Sequence, residues 1–211
     1  MKNDILCLTI GLTSCLFVLL IAACGNDDEE GLIPDPNLRK GVAGSLSKAP
    51  DEEITTDDLT TLTELSLWHS GPHNWVRDLT GLEYCVNLTS LTIYFGAISD
   101  ISPLSNLSNL RTLDLTSHRI TDISPLAELT SLMLLQLTFN DITDIGPLSG
   151  LTDLSTVVLD GNLITDLQPL ATNPGLGAGD IVSVVNNPLS EMSLNIHVPA
   201  LRTRGVEVRV E

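Results

Sequence analysis

The stretch LSNLSNLRTLDLTSHRITDISP, residues 104–125, decides the fold of this chain. The next block, LAELTSLMLLQLTFNDITDIGP at residues 126–147, keeps every leucine and isoleucine of the first block in place. The same 22-residue spacing separates five leucines and five aspartates along the chain: Leu82, Leu104, Leu126, Leu148 and Leu170, and Asp78, Asp100, Asp122, Asp144 and Asp166. A fixed period of this length predicts a solenoid, in which each repeat is one unit that stacks on its neighbours.

Within the first block the spacing of the apolar residues changes from three to two. Residues 104–110 carry a leucine at every third position, which predicts a tight helical turn. Leu113 and Leu115 alternate with polar residues, which predicts a short strand. Asp122 precedes a second turn, and we expect its carboxylate to cap the free backbone N–H groups of that turn. A single coil buries too little apolar surface to offset its backbone entropy, so the coils must stack and both ends need caps.

The repeat resembles the leucine-rich-repeat family, in its 22-residue internalin-like class, over residues 36–211. The resemblance implies an α/β right-handed solenoid with a parallel β-sheet on the concave face and short 3₁₀ or helical segments on the convex face. It also implies a ladder of asparagine side chains that bond backbone groups of the turns, at Asn140, Asn162 and Asn187. Three coils depart from this pattern, and a less regular turn is expected at their ladder positions: Ser70, Gly96 and His118.

The chain divides into a leader, a tether and a repeat domain. Residues 1–23 are predicted to be a secretory signal peptide, with a membrane span as the alternative reading of the apolar run. Residues 21–24, Ile-Ala-Ala-Cys, resemble the lipobox of bacterial lipoproteins, which implies lipidation of Cys24; Cys15 fits the same motif loosely. The resemblance implies a lipid-anchored cell-envelope protein, at the outer membrane or the cell surface. Residues 24–35 form an acidic tether, which is either a solvated spacer or a surface-display signal.

The repeat domain, residues 36–211, is predicted to carry a cap at each end of its coils. Its expected parts are an N-cap at 36–58, repeats at 59–189 and a C-cap at 190–211. We expect Asp35 to cap the first helix, which Gly41 and Gly44 should weaken by about 1 kcal/mol each. The C-cap is predicted to be a helix that Pro199 kinks or splits, followed by a half-buried strand.

Charge and cysteine content exclude several classes of function. The formal net charge is −17, with 27 acidic residues against 10 Lys and Arg, so there is no basic stripe to bind nucleic acid. Cys85 is the single cysteine left after the leader and the lipidated residue, and it replaces an inward leucine, so we expect a buried, inert thiol. No catalytic constellation and no cofactor motif is recognisable, and the chain is predicted not to be an enzyme.

Metal sites are the weaker reading of the acidic and histidine residues. His69 and His73 are separated by Gly71 and Pro72 and lack further ligands at zinc-site spacing. The repeated aspartates supply one carboxylate per coil, which is too few oxygens for calcium, so capping is the better interpretation. Residues 71–74 lengthen the first coil and form either a lip beside a ligand or a tolerated surface insertion.

A candidate binding surface lies at the ends of the strands. Only 3% of the residues are aromatic, yet four aromatic residues are predicted to reach the concave face. The predicted surface consists of Trp68, His69, Tyr94, Phe95 and Phe139, edged by Asp114, Gln136 and Asp160. Exposed aromatic clusters are typical of binding hot spots, although these rings could also pack on each other without a ligand.

These features predict a non-catalytic protein that binds a protein or peptide ligand on its concave sheet. The alternative function is a structural envelope component or a glycan-binding adhesin, because exposed aromatic rings also stack on sugars. The architecture favours binding over catalysis, since a solenoid offers an extended surface.

Overall fold

The computed structural model describes residues 31–49, 51–68 and 75–211. The predicted signal peptide, Cys24 and most of the acidic tether lie outside the described residues, as do His69 and the 71–74 insertion. The described chain forms one parallel sheet whose seven strands are hydrogen-bonded in sequence order. The strands are β1 Glu64–Trp68, β2 Ser90–Tyr94, β3 Thr112–Asp114, β4 Leu134–Gln136, β5 Thr156–Val158, β6 Ile181–Ser183 and β7 Glu207–Arg209.

The register of the sheet follows the sequence period. Leu91 of β2 pairs with Leu113 of β3, which pairs with Leu135 of β4, and Val157 of β5 continues the row. These side chains are fully buried, because alternate strand residues point to opposite faces of a sheet. The core is therefore a stack of aliphatic layers, and the other sheet face, the concave face, is left to solvent.

Short turns return the chain on the convex side. Four are 3₁₀ segments and one is a short α-helix: Leu82–Tyr84, Ser102–Leu104, Ser124–Leu126, Gly146–Gly150 and α3 Gln168–Thr172 (numbered after α1 and α2 below). Asp122 accepts the backbone N–H of Ser124 at 2.8 Å, and Asp78, Asp100, Asp144 and Asp166 make the equivalent bond. The predicted capping role of the aspartates is confirmed.

The N-cap contains two helices, α1 Pro36–Ser45 and α2 Thr56–Thr61. Asp35 caps α1, since one carboxylate oxygen accepts the backbone N–H groups of Asn37 and Leu38 at 2.9 and 3.0 Å. Its other oxygen accepts the N–H groups of Arg77 and Asp78, at 2.8 and 3.3 Å, so the same side chain fastens the helix to the first coil. Ile33, which sequence patterning placed in the tether, is only 3% exposed and belongs to the core.

The two glycines of α1 have different environments. A Cβ on Gly41 would lie 2.2 Å from Cδ2 of Leu67, whereas a Cβ on Gly44 would meet nothing within 4 Å. From the sequence alone, both glycines are predicted to weaken α1 equally. Gly41 therefore makes room for the Leu67 side chain where α1 approaches β1, and Gly44 has no such contact.

The C-cap is helical across residues 191–203, with a π-helical turn, Ser193–His197, directly before α4, Val198–Thr203. Pro199 lies at the start of α4, where its ring would clash with the carbonyl of an unmodified helix, and the wider π turn accommodates it. Gly205 ends the helix at φ +89°. The predicted helix, the closing strand β7 and the α/β solenoid with a parallel sheet are confirmed, whereas the helix is not split at Pro199 and passes instead from a π turn into α4.

The asparagine ladder is continuous through His118, contrary to expectation. Asn140 accepts the backbone N–H of Ile120 at 3.0 Å and donates to the carbonyl of Leu115 at 2.9 Å. His118 accepts the N–H of Ile98 through Nδ1 at 3.4 Å and reaches the carbonyl of Ile93 through Nε2 at 2.9 Å. The irregular turn predicted at His118 is therefore wrong, because a neutral imidazole makes the same two backbone bonds as the amide.

Gly96, another predicted departure, makes room for this imidazole. A Cβ at Gly96 would lie 2.5 Å from Cε1 of His118 and 2.8 Å from the carbonyl oxygen of Val76. Gly96 and His118 thus form a complementary pair across two coils.

Within the described residues, no helix combines the length and the apolar character that crossing a bilayer requires.

Candidate functional site

Trp68 and Tyr94 form the centre of the predicted concave surface. They are the last residues of β1 and β2 and pair directly in the sheet register. Their ring centroids lie 4.7 Å apart at an interplanar angle of 43°, and Phe95 continues the cluster at 6.4 Å from Tyr94. Trp68 remains 74% exposed despite these contacts. The rings do pack on each other, as the ligand-free alternative predicts, but that packing leaves most of the indole open to solvent.

Phe95 and Phe139 follow β2 and β4 at equivalent positions and are 54% and 59% exposed. Both have left-handed backbone conformations, at φ +57° and +55°. Every described coil places this position in the same region, with Ser117, Gly161 and Asn186 in the remaining coils. The left-handed region favours glycine and asparagine, and a bulky residue there is strained by roughly 1–2 kcal/mol.

The phenylalanines therefore occupy positions where stability alone favours another residue. Exposed rings add no core packing to offset the strain, so folding alone gives no reason for phenylalanine at these two positions. Phe139 lies over the neighbouring coil, where a Cβ on Gly161 would come within 2.5 Å of its Cδ1. The absence of a side chain on Gly161 thus leaves space for the Phe139 ring in the next coil.

Asp114 interacts with the aromatic cluster through Tyr94. The residue is 5% exposed and accepts the backbone N–H and hydroxyl of Thr116 at 3.1 and 2.7 Å. Hydrogen bonding of the Tyr94 hydroxyl to this carboxylate, together with burial, raises the pKa of Tyr94 to about 12. Asp114 was predicted as an edge residue of the surface, and its carboxylate interacts with Tyr94 at the centre of that surface.

Gln136 and Asp160 lie further along the same face and are half-buried. Gln136 donates through Nε2 to the hydroxyl of Thr116 at 3.4 Å. Asp160 accepts the hydroxyl of Ser183 at 2.7 Å and the backbone N–H of Val185 at 2.8 Å through one oxygen. Both side chains are held in place by neighbouring coils, so this edge of the surface is pre-organised.

The concave face carries negative charge without matching cations. None of the residues of β1–β6 is Lys or Arg, whereas Glu64, Asp114 and Asp160 are acidic. The first basic residue on the sheet is Arg209 of β7, which is paired with Glu207 at 2.6 Å. The aromatic surface therefore lies in a field that favours a neutral or cationic ligand.

The left-handed column is the part of the site that the sequence interpretation missed. Gly161 and Asn186 occur in it, and these residue types are the available signal for a positive φ. His69, also predicted for the surface, lies outside the described residues. No group of three or more potential metal-ligating side chains occurs among the described residues. The arrangement is suited to stacking and hydrogen bonding.

Comparison with known proteins agrees with this geometry. A family model described as Leucine Rich repeats (2 copies) matches residues 86–128 and 130–172. A search of curated proteins finds no match. Among solved structures, an internalin from Listeria monocytogenes is 27% identical with a TM-score of 0.65, covering 84% of this chain. This chain spans 56% of that internalin's length.

Two further structures are similar. Internalin C2 from Listeria monocytogenes is 26% identical, with a TM-score of 0.47 and coverage of 85% of this chain and 95% of that one. A leucine-rich-repeat protein from Leptospira interrogans is 20% identical, with a TM-score of 0.62 and coverage of 72% and 38% respectively. The coil-by-coil geometry, the family match and the likeness to the first internalin lead to one conclusion: the chain carries leucine-rich repeats and has internalin-like structural neighbours.

Proposed function

We propose that this chain is a non-catalytic binding protein that holds a protein or peptide ligand on its concave sheet. The observation that carries the proposal is the exposure of Trp68, Phe95 and Phe139 on one face of a chain with few aromatic residues. Aromatic anchors dominate the energetics of protein interfaces, and leucine-rich-repeat proteins commonly mediate such contacts. The strained backbone at the two phenylalanines supports a role for them beyond folding.

The proposed setting is the cell envelope, with the protein anchored through acyl chains on Cys24. The lipobox-like residues 21–24 motivate this assignment. Ile33 is already packed in the core, so about nine residues separate the anchor from the domain and span at most roughly 30 Å. The binding face would then act close to the membrane surface. Replacing Cys24 by Ala should move the protein from the membrane fraction to the soluble fraction, and unchanged fractionation would contradict the anchor.

A glycan-binding adhesin is the second candidate function. The same exposed rings favour it, because Trp and Tyr faces stack on apolar sugar surfaces as well as on side chains. The two candidates differ in the chemical nature of the captured molecule. The experiment below therefore identifies the ligand before any substitution is interpreted.

A photo-crosslinking amino acid placed at Phe139 tests the proposal in the native cell. A matched control carries the crosslinker at Glu128, an exposed residue on the convex side after the Ser124–Leu126 turn. We expect a protein adduct from position 139 and none from position 128, and its loss on combining Trp68→Ala with Tyr94→Ala. Equal adducts from both positions, or an adduct indifferent to the double substitution in folded protein, would exclude the concave surface.

A further inference from the structure

We infer that the ligand is a proline-rich segment in the polyproline II conformation that carries Lys or Arg. This inference rests on the proposed function. Three properties of the concave face point to it. These are the spacing of the exposed rings, the free hydrogen-bond donors between them and the unpaired negative charge around them.

The spacing of the rings comes from the register of the sheet. Phe95 and Phe139 occupy the same position in the coils of β2 and β4, with Ser117 in the coil between. Neighbouring strands lie about 4.8 Å apart, so the two phenylalanine positions are separated by roughly 10 Å. A polyproline II helix has three residues per turn and rises about 3.1 Å per residue, so each of its ridges repeats every ~9 Å. An extended strand repeats on one face every ~7 Å and does not match.

The position between the rings is small and polar. Ser117 lies between Phe95 and Phe139 in the left-handed column, and Thr116 and Thr138 lie beside it. The Phe139 ring leans over Gly161 of the following coil and so leaves the space above Ser117 open. This space, which we call the slot, adjoins the exposed aromatic residues, and a proline ring packs well beside aromatic side chains. The pyrrolidine ring fits such a slot at low entropic cost, since polyproline II is already extended before it binds.

Donors line this slot at a suitable place. The side chains of Ser117 and Thr138 make no hydrogen bond to other residues in the described part of the chain. Gln136 uses Nε2 toward Thr116 at 3.4 Å and keeps a second N–H on the same amide nitrogen. A polyproline II segment has no internal hydrogen bonds, so its carbonyl groups are available to these donors.

Charge complementarity selects a basic sequence. Asp160 edges the aromatic surface, Glu64 lies on the same sheet face at the opposite end of β1 from Trp68, and no Lys or Arg lies on β1–β6 to neutralise them. An Arg side chain would gain both from these carboxylates and from the faces of Trp68 and Tyr94. A repeat with two prolines and one arginine would present its prolines to the slot and its arginines to the carboxylates.

Binding of labelled peptides to the full chain in detergent, measured by fluorescence anisotropy, tests the inference. The probe is RPPRPPRPP. RGSRGSRGS keeps its charge without the conformation, RPPPRPPPR breaks the three-residue period, and EPPEPPEPP reverses the charge. We expect the three control peptides to bind about tenfold more weakly than the probe. Equal affinity for RPPRPPRPP and RGSRGSRGS would overturn the polyproline assignment.

The variants Phe95→Asn and Phe139→Asn separate binding from folding. Asparagine is suited to the left-handed conformation, so both variants should fold at least as well as the parent. Each should lower the affinity for RPPRPPRPP about tenfold, whereas Leu163→Ala, which removes another exposed apolar side chain, should leave it unchanged. Unchanged affinity of the folded Phe139→Asn variant would overturn the inference.

These experiments distinguish a failure of the polyproline inference from a failure of the proposed function. Phenylalanine-dependent binding of peptides without proline, drawn from an unbiased library, would leave the concave surface as a peptide site and refute the polyproline assignment. Phenylalanine-dependent binding of chitohexaose in place of peptide would replace the partner class. Absence of peptide binding together with absence of the position-139 crosslink would refute both proposals.

Discussion

His118 occupies the place that Asn140 fills one coil later, and the two side chains make the same pair of backbone bonds. Nδ1 of His118 accepts the N–H of Ile98, so the proton resides on Nε2, which donates to the carbonyl of Ile93 at 2.9 Å. Asn140 accepts and donates in the same way to Ile120 and Leu115. A ring replaces an amide because Gly96 provides the space in the preceding coil.

This equivalence predicts the response to substitution at position 118. His118→Ala leaves two buried backbone groups without a partner and should lower the free energy of unfolding by about 1–3 kcal/mol. His118→Asn restores the same donors and acceptors, so its cost should be much smaller. Urea unfolding followed by circular dichroism measures both, and equal destabilisation by Asn and Ala would show that the hydrogen bonds are not what holds this turn.

The two glycines of α1 predict opposite effects of one substitution. Gly44→Ala adds a methyl group in open space and should raise the free energy of unfolding by about 0.5–1 kcal/mol, since alanine favours the helix. Gly41→Ala forces its Cβ against Leu67 at 2.2 Å and should destabilise the N-cap. Thermal unfolding compares the pair directly. A gain in stability for both variants would contradict the close approach of α1 to β1.

Tyr94 is expected to titrate late because of Asp114. Its pKa is raised to about 12 by the hydrogen bond to that carboxylate and by burial. Asp114→Asn removes the charge, so the pKa of Tyr94 should fall toward its ordinary value of about 10. Absorbance titration in the near ultraviolet measures this, with Tyr94→Phe identifying the signal. An unchanged pKa of Tyr94 in the Asp114→Asn variant would show that Asp114 does not cause the raised pKa.

The raised pKa of Tyr94 also predicts that the free energy of unfolding falls at high pH. The folded state holds the proton of Tyr94 more tightly than the unfolded state does. Its contribution to stability is therefore fully present below about pH 10 and is lost as the pH rises from about 10 through about 12. Unfolding free energies measured across this window should decline less steeply for Tyr94→Phe than for the parent chain.

The strands and their inward leucines could be predicted from the sequence because two periods coincide there. The alternation at Leu113 and Leu115 assigns a face, and the 22-residue spacing repeats that assignment in the next coil, at Leu135 and Leu137. Cys85 is fully buried for the same reason, and burial raises the pKa of its thiol to about 12. Because each coil repeats the same assignment of inward residues, agreement between coils checks the prediction made from any one of them.

The remaining features depend on contacts between residues far apart in the chain. Gly96 and His118 each depart from the repeat, and only their contact shows that the two departures compensate. Gly41 similarly depends on Leu67. The left-handed conformation of Phe139 opposes its intrinsic preference, so local reasoning could not reach it, although the glycine at position 161 of the same column was a usable signal.

Arg204 fastens the C-cap to the lengthened last coil, which predicts a strong and specific effect of its loss. Its guanidinium donates to the carbonyl of Ala171 at 3.0 Å, to that of Asn173 at 2.5 Å and to that of Leu176. Arg204→Ala should lower the free energy of unfolding by about 2–3 kcal/mol, since hydrogen bonds from charged groups are stronger than neutral ones.

Arg204→Lys should recover only part of this loss, because an ammonium lacks the planar fork that reaches three carbonyls at once. The exposed Arg119 provides the matched control, and Arg119→Ala should change stability little. Hydrogen exchange of the backbone amides in β6 and β7 locates the effect: faster exchange confined to these strands in Arg204→Ala is the expected result. A loss of protection spread evenly over β1–β7 would instead show that the closing segment unfolds together with the whole sheet.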